Sequence, residues 1–388
     1  MLIIGGAGDL SRRHLLPALT RLLANGELPT EFSIALSGLE SMTVEACRDL
    51  VAGELSAHAG HLPEDARRAL AERVSYRQAD VRDVEALEAI PATEPILVYL
   101  AIPPAVVPAA LRALGRAGIH RAPGRIVLDK PFGLSRESAR ALNAQLLELT
   151  DEHHVYRIDH FLYHHVVQEL IRWRVESDPL SLVDLLRVAE VEIVWDETRA
   201  SHAGDSSASG ILCDMIQSHL LQLAAVLTMD PPESLTHADL AGSRLEALRR
   251  ISTVEGTAPP RAGSEPETYA ALELRSQLPR WQDVRFLLRA GKGVAESRRH
   301  IELRFAARPA SPSVGFARLD ILGGDLTVGV VGSREPSVAF GVPADAESAS
   351  TRLLRAALNG DDTFVLDGGE PEEAWRVVDP IVQTLRDA

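Results

Sequence analysis

Gly5-Gly6-Ala7-Gly8-Asp9-Leu10 lies between a short apolar run, Leu2 to Ile4, and a Leu-rich stretch of helical spacing that continues to Ala24. A glycine turn between a buried strand and a helix lets the backbone approach a pyrophosphate, whose charge the helix N-terminus favours. Such a turn is a weak signal by itself, but its place directly after an N-terminal strand strengthens it. The third glycine of the usual pattern is replaced by Ser11. We therefore expect residues 5–10 to form a dinucleotide-binding turn.

The end of the second predicted strand, Phe32 to Leu36, bears on which dinucleotide is bound. In dinucleotide enzymes an acidic residue at this place selects the ribose 2′-hydroxyl of NAD, whereas an Arg accepts the 2′-phosphate of NADP. The stretch here is Ser37-Gly38-Leu39-Glu40 and contains no Arg. Glu40 has two open interpretations, a ribose-binding carboxylate or a solvated loop residue. The cofactor is therefore expected to be NADP or NAD, and the missing Arg favours acceptance of NAD.

The remaining pattern divides the chain into two parts. Up to about residue 155, short apolar runs alternate with amphipathic stretches, which is typical of a parallel sheet covered by helices on both faces. Further on, β-rich runs such as Tyr269 to Leu274 and His300 to Phe305 are often separated by loops. We predict an N-terminal Rossmann-like α/β domain over residues 1–157. An α+β domain with a large, mainly antiparallel sheet and helices is predicted over residues 158–388.

Composition narrows the class of protein. The net charge of −15 is not concentrated in any run, and it argues against nucleic-acid binding, which needs a basic face. Two isolated cysteines, Cys47 and Cys213, exclude a disulfide scaffold and fit a reducing compartment. No apolar run reaches the roughly 18–20 residues of a membrane span. Met1 is followed by structure rather than by a signal peptide. A cytoplasmic globular enzyme that binds no membrane is the expected class.

Several short words along the chain are more specific than its composition. Together, and in this order, they resemble the glucose-6-phosphate dehydrogenase family over nearly the whole chain. The resemblance implies oxidation of a sugar at C1 with NADP or NAD, in carbohydrate metabolism. It also implies a homodimer or homotetramer, formed through the large sheet of the second domain. The words are Gly5 to Pro17, Tyr99 to Pro104, Asp129-Lys130-Pro131-Phe132-Gly133, Arg157-Ile158-Asp159-His160-Phe161-Leu162, Asp214 to Gln222, Arg289 to Lys292, and Glu373 to Arg376.

The reaction needs a base that takes the proton of the C1 hydroxyl while C1 gives a hydride to nicotinamide. By the resemblance, His219 is that base, and Asp159 is the carboxylate that holds its other ring nitrogen. Lys130 touches substrate hydroxyls near the nicotinamide and so serves both ligands. The resemblance also implies a set of substrate-binding residues, namely His160, His164, Glu197, Ser207 and Lys292. The implied cofactor cleft comprises the turn at residues 5–10 with Ser37, Ala101, Pro103 and Lys130.

The chain departs from the family where the sugar 6-phosphate is held. Phe161 replaces a Tyr and lacks its hydroxyl, and His164 replaces a Lys. An Asp position falls at about Ser207, and an Arg position falls at about Ser297, beside Arg298 and Arg299. Because a dianionic phosphate prefers fixed positive charge, phosphate binding is expected to be weakened.

His160 and His164 stand four residues apart, as a metal-binding pair on a helix would. No acidic or Cys ligand lies at metal spacing nearby, so we expect no metal.

Three functions follow from these features. The leading one is NAD(P)-dependent oxidation of a hexose phosphate, glucose 6-phosphate above all, to its lactone. The first alternative keeps this chemistry but takes a non-phosphorylated or otherwise modified hexose. The second alternative is a catalytically silent relative that binds sugar or cofactor. Retention of His219, Asp159 and Lys130 argues against the silent form.

Overall fold

The chain forms two compact units. The computed structural model describes residues 1–82, 97–118, 124–177, 187–198, 210–254, 268–306, 315–330, 337–339 and 347–387. The first unit comprises Met1–His160 together with Glu347–Val365. The second comprises Phe161–Ala346 together with Leu366–Ala388. The sequence had given no sign that a late segment belongs to the first unit.

The first unit is built on a six-stranded sheet of order β3-β2-β1-β4-β5-β6, in which every described pair is parallel. Strands β1 and β4 are buried throughout, because helices cover both faces of such a sheet. This arrangement confirms the predicted Rossmann-like fold. The strands are β1 (Leu2–Ile4), β2 (Ile34–Gly38), β3 (Val74–Gln78), β4 (Leu97–Leu100), β5 (Arg125–Asp129) and β6 (Val155–Ile158).

The first helix differs from the single α-helix predicted over Leu10 to Ala24. A π-helical stretch, Ser11–Leu15, comes first, and the regular helix begins only at Leu16. Pro17 gives the physical reason, because its ring would clash with the carbonyl four residues earlier in a continuous α-helix. The wider π turn avoids that clash. The described helices here are α1 (Leu16–Ala24), α2 (Val44–His58), α3 (Glu64–Glu72), α4 (Val107–Arg116) and α5 (Arg136–Leu149).

Side chains cap the N-termini of two of these helices by accepting hydrogen bonds from their first N–H groups. Thr43 accepts a hydrogen bond from the Ala46 amide at the start of α2. Ser135 and Ser138 cap each other reciprocally at the start of α5. These caps fix the helix ends that follow β2 and β5, and so they fix the loops at the carboxyl edge of the sheet.

The second unit carries an eight-stranded sheet of order β14-β13-β12-β11-β7-β10-β9-β8. Its described pairs are antiparallel except β7 with β10, which run parallel. The predicted mainly antiparallel sheet is therefore confirmed. The strands are β7 (Val188–Glu197), β8 (Ile251–Thr253), β9 (Tyr269–Ser276), β10 (Arg285–Lys292), β11 (Arg298–Phe305), β12 (Gly315–Asp320), β13 (Asp325–Val330) and β14 (Ser337–Ala339).

Strand β7 ends later than the sequence suggested. The β-rich run Leu185 to Val194 predicts a strand that ends before the charged pair Asp196 and Glu197, but strand β7 includes both. Asp196 is fully buried, and its carboxylate accepts a hydrogen bond from Arg298 Nε on β11 at 2.9 Å. Because the cross-strand guanidinium compensates the buried charge, the strand can continue through it.

Helices complete the second unit, and one late helix belongs to the first. A π-helical stretch, Leu212–Leu220, leads directly into α7, and every residue of both is buried. The described helices are α6 (His165–Ser177), α7 (Leu221–Thr228), α8 (His237–Arg249), α9 (Ala349–Asn359) in the first unit, and α10 (Gly369–Asp387). None of the helices in these described ranges is long and apolar enough to cross a membrane.

A buried ion pair joins α8 to α10. Arg244 Nε lies 2.9 Å from Glu370 Oε2, and both side chains are 0% exposed. A second hydrogen bond of 3.0 Å runs from Arg244 to Glu370 Oε1. The Asp367 amide also donates to this carboxylate. Removal of one partner leaves the other charge buried and uncompensated.

We predict that Glu370→Gln lowers the free energy of unfolding by about 3–5 kcal/mol, since it leaves the Arg244 charge unpaired in the core. Urea unfolding followed by circular dichroism measures this loss. Glu246→Gln is the matched control, because the Glu246–Arg250 pair is about half exposed on α8. The control is expected to change stability by less than about 0.5 kcal/mol. Equal effects of the two substitutions would contradict the assignment.

Candidate active site

The glycine turn is held against the ends of two neighbouring strands. The amides of Gly5 and Gly6 both donate to the Ser37 carbonyl of β2, at 2.8 and 2.9 Å. Gly5 has φ of +84°, and a Cβ atom built on it would lie 2.1 Å from the Ala101 carbonyl oxygen. A Cβ on Gly6 would lie 2.6 Å from Leu36 Cβ. The turn therefore requires glycine at both positions.

Ser11 replaces the missing third glycine with a hydrogen bond of its own. Its side chain is fully buried, and its hydroxyl donates to the Gly5 carbonyl at 3.1 Å. The Gly8 amide donates to the same carbonyl, so the turn closes on itself. Asp9 and Leu10 then lead into the first helix, whose N-terminus faces the turn. This cradle fits a pyrophosphate, because tight glycine backbone and a helix N-terminus are what such a group needs.

Lys130 and Asp159 follow neighbouring parallel strands. Asp129, the last residue of β5, is in register with Ile158, the last residue of β6. Lys130 and Asp159 therefore lie next to each other along the carboxyl edge of the sheet. The Lys130–Pro131 peptide is cis. Ala101 follows β4 on the same edge, and Pro103 is exposed in the loop beyond it.

Arg157 has a structural role within the word that contains Asp159. Its side chain is 1% exposed. Its Nε donates to Asn143 of α5 at 2.9 Å, and a second nitrogen lies 2.5 Å from Glu152. Because both partners precede β6, they fix the strand on which Asp159 depends. Asp159 itself is buried.

The Asp129 carboxyl, next to Lys130 in the sequence, has a raised pKa. Burial of the carboxyl raises its pKa from 3.8 to about 6, against the opposing charge of Lys130. The Tyr99 hydroxyl donates to one carboxylate oxygen at 3.0 Å, and the Lys130 amide donates to the other at 2.8 Å. These hydrogen bonds hold the start of the loop that carries Lys130.

His219 lies in the second unit, on the buried π-helical stretch that precedes α7. Its ring is 0% exposed and stacks on Phe161, with ring centroids 4.0 Å apart and planes at 9°. Trp195 contacts the same Phe161 ring at 4.4 Å, and His164 meets its edge at 5.4 Å. The stack fixes the plane of the imidazole, which a general base requires before it can point at a substrate.

Glu197 and Lys292 come together at the ends of β7 and β10. Because these two strands are parallel, the register pairs Lys292 directly with Glu197. Arg299 of β11 lies 3.4 Å from Glu197 and stands over the Trp195 ring at 5.0 Å. The Trp195 indole nitrogen also donates to Glu197 at 3.0 Å. Arg298 instead pairs with Asp196 on the opposite face of the sheet.

Asp214 is a polar residue of this region to which the sequence reasoning assigned no role. Lys292 Nζ lies 2.7 Å from Asp214 Oδ2. Asp214 precedes His219 by one wide turn of the π-helical stretch, so both side chains share a helix face. Its place in the same sequence word as His219 was the available signal. Ser207, which the resemblance had placed at the substrate-binding Asp position, lies outside the described residues.

His160 and His164 do not lie on one α-helix, although their spacing of four residues would suit a metal-binding pair on such a helix. Residues His160–Tyr163 form a 3-10 helix, and α6 begins only at His165. Residues four apart do not share a face in a 3-10 helix, because its repeat is three residues. His160 and His164 are therefore not paired on one α-helical face.

Comparison with known proteins places both units in one family. Residues 2–169 match the family profile described as "Glucose-6-phosphate dehydrogenase, NAD binding domain". Residues 184–261 and 257–318 match the corresponding C-terminal domain profile. The chain belongs to the glucose-6-phosphate dehydrogenase family. The expected family is thereby confirmed, and with it a dinucleotide-binding domain for NADP or NAD.

Individual family members are similar over most of their length. Glucose-6-phosphate 1-dehydrogenase of Treponema pallidum is 28% identical over 98% of this chain and 88% of its own. The Schizosaccharomyces pombe enzyme is 30% identical over 79% and 69%. A relative from Arabidopsis thaliana, named inactive glucose-6-phosphate 1-dehydrogenase 4, is 24% identical over 99% and 69%. The crystal structure of the Mycobacterium avium enzyme has a TM-score of 0.84 at 27% identity, covering 98% of this chain and 91% of that one.

We predict that Gly5→Ala in this family member loses both stability and cofactor binding. The Cβ would meet the Ala101 carbonyl at 2.1 Å and force the turn away from β4. We expect a loss of about 2–4 kcal/mol in unfolding free energy from overpacking and backbone strain. Affinity for NAD or NADP, measured by calorimetry, should fall more than tenfold.

Gly26→Ala is the matched control for this substitution. Gly26 also has a positive φ, +72°, but a Cβ there would meet nothing within 4 Å. The control therefore measures backbone strain alone, about 1–2 kcal/mol, and should leave cofactor affinity unchanged. If Gly5→Ala behaves like this control in both measurements, the close packing of the turn is not what the cofactor site depends on.

We predict a pH-dependent difference between the wild type and Asp129→Asn. Since the folded-state pKa of Asp129 is raised to about 6, the folded state retains a proton that the unfolded state has already lost. The wild type therefore loses stability relative to the variant as pH rises from about 4 to about 6, by about 2 kcal/mol allowing for partial solvent access. Urea unfolding at pH 4 and pH 7 measures this difference. Asp49→Asn, exposed on α2, should show no such trend.

Proposed function

We propose that the chain oxidises the C1 hydroxyl of glucose 6-phosphate to the lactone, with NADP or NAD as acceptor. The observation that carries this proposal is the buried imidazole of His219, which stacks on Phe161 and shares a helix face with Asp214, the ion-pair partner of Lys292 on β10. A buried base with polar groups held close to it suits an enzyme that oxidises C1 better than a protein that only binds sugar. The confirmed family supplies the reaction class.

In the proposed mechanism His219 takes the proton from the C1 hydroxyl. Asp159 holds the other ring nitrogen and stabilises the imidazolium that forms. Lys130 and Glu197 orient the sugar hydroxyls, and His160 and His164 lie toward the phosphate end. When bound, a nicotinamide dinucleotide would supply the acceptor for the hydride that leaves C1. The C1–H electron pair thus departs as hydride and the O–H proton goes to His219, which leaves the C1 carbonyl of the lactone.

The phosphate is proposed to bind the cations at the ends of β10 and β11. Lys292 is in register with Glu197, and the Arg299 side chain reaches to 3.4 Å from the same carboxylate. Arg299 offers a planar donor that matches phosphate oxygens. One observation favours the second candidate, a hexose without phosphate: Phe161 has no hydroxyl, and its ring is occupied by the stack on His219.

Assembly and location also remain proposals. We propose a homo-oligomer formed through the large sheet of the second unit, in the cytoplasm. Cys47 and Cys213 are both buried thiols that are not joined in a disulfide, which accords with a reducing compartment.

We predict that the purified chain reduces NAD or NADP with glucose 6-phosphate at least tenfold more efficiently than with glucose, measured as kcat/KM by absorbance. His219→Ala should lower kcat by at least 10²-fold, because general-base catalysis contributes about that much. Its cofactor dissociation constant should stay within about twofold of the wild type, since the cofactor turn lies in the first unit. His237→Ala, at the start of α8, is the control and should keep wild-type activity.

The outcomes separate the candidate functions. Higher efficiency with glucose than with glucose 6-phosphate would favour the non-phosphorylated substrate. Cofactor binding without turnover of either sugar would favour the catalytically silent form. Activity of a folded His219→Ala protein near that of the wild type would refute the assignment of the base.

A further inference from the structure

The turn after β2 lies where an adenosine ribose is recognised in open parallel sheets. Strand β2 runs parallel beside β1, and Ile4 is in register with Ser37. The Ser37 carbonyl receives the amides of both Gly5 and Gly6. The pyrophosphate turn is thus bonded to the residue that directly precedes Gly38-Leu39-Glu40. A nucleotide on that turn must place its adenosine half near these three residues.

The backbone of this turn is fixed by side chains of β3. The Tyr76 hydroxyl donates to the Glu40 carbonyl at 2.7 Å, and Gln78 Nε2 donates to the Leu39 carbonyl at 3.0 Å. Burial, reinforced by the Glu40 charge, raises the pKa of Tyr76 to about 12, so this hydroxyl stays a donor at any physiological pH. The turn is therefore an ordered part of the first unit.

The Glu40 carboxylate lies back over the end of β2. A Cβ atom placed on Gly38 would lie 2.6 Å from Glu40 Oε2. Gly38 thus leaves room for the carboxylate at the strand end, while the side chain stays accessible to a ligand. This placement puts an exposed carboxylate beside the end of β2, where the ribose is expected, and so favours the ribose-binding interpretation of Glu40.

The nearby cations are engaged elsewhere. Arg12 is 2.7 Å from Asp9 and 2.9 Å from Glu54, and Arg13 is 3.8 Å from Asp9. Arg77 is in register with Ser37 but alternates with Tyr76 and Gln78, so it points to the other face of the sheet. Leu39, beside Glu40, is 65% exposed and carries no charge.

We propose that Glu40 makes this protein selective for NAD over NADP. The carboxylate accepts hydrogen bonds from the ribose 2′- and 3′-hydroxyls and repels a 2′-phosphate, which carries nearly two negative charges. This inference rests on the dinucleotide site of the proposed function. It adds a cofactor preference that the confirmed family leaves open.

The test is calorimetric titration of the full chain, without sugar, with NAD, NADP, ADP-ribose and 2′-phospho-ADP-ribose. We expect the wild type to bind each 2′-phosphorylated ligand at least about tenfold more weakly than its counterpart. Glu40→Gln should reduce this ratio about tenfold, mainly by tighter binding of the 2′-phosphorylated ligand. Leu39→Arg, which adds a cation at an exposed position, should reduce it further.

Glu31→Gln is the matched control, because Glu31 is exposed before the opposite end of β2. It should leave the ratio unchanged. The proposal is overturned if the wild type binds NADP as tightly as NAD, or if Glu40→Gln keeps the wild-type ratio. Absence of turnover with glucose 6-phosphate refutes the proposed function but not this preference, since the ratio is measured without sugar. Failure to bind either dinucleotide overturns both.

Discussion

Parallel strand pairing is the constraint on which the candidate residues of each unit depend. Parallel neighbours bring their carboxyl ends to one edge, so residues that follow different strands become neighbours there. In the first unit this edge gathers the glycine turn, Ala101, Lys130 and Asp159. In the second unit one parallel pair in an otherwise antiparallel described sheet puts Lys292 beside Glu197. An antiparallel partner for β7 at this place would send the chain after Lys292 to the opposite end.

Lysine and arginine occupy different kinds of position in this chain. Only two of the 40 basic residues are lysines, Lys130 and Lys292, and both lie in family words at strand ends. Arginines pair with fully buried carboxylates, as Arg298 does with Asp196 and Arg244 with Glu370. A planar fork satisfies two acceptors at once, which suits a buried acid, whereas a compact ammonium suits a tight sugar site.

The fold and the sequence words that carry the candidate catalytic residues could be predicted because each depends on residues that are neighbours in the sequence. A strand, a glycine turn and a helix are specified by neighbouring residues, so the first unit could be predicted well. The inclusion of Asp196 in β7 depends on Arg298, which is distant in sequence, and local patterns carry no such information. The role of Asp214 likewise depends on its ion pair with Lys292 of β10. The break at Ser11–Leu15 could have been anticipated, because Pro17 is visible in the sequence.

The charge balance at the end of the second sheet bears on how a phosphate could be held. Lys292 is paired with Asp214, and Arg299 shares Glu197 with the Trp195 indole. Among these described groups the two cations are matched by two carboxylates, so the cluster carries no net charge. A dianionic phosphate must therefore compete with Asp214 and Glu197 for their cations. The missing hydroxyl at Phe161 and the replacement of a Lys by His164 remove the two groups that would otherwise offset this competition, since a neutral imidazole supplies no fixed charge. Under the proposed function, discrimination for the phosphate consequently depends on how far Lys292 and Arg299 can turn from their carboxylates toward the sugar.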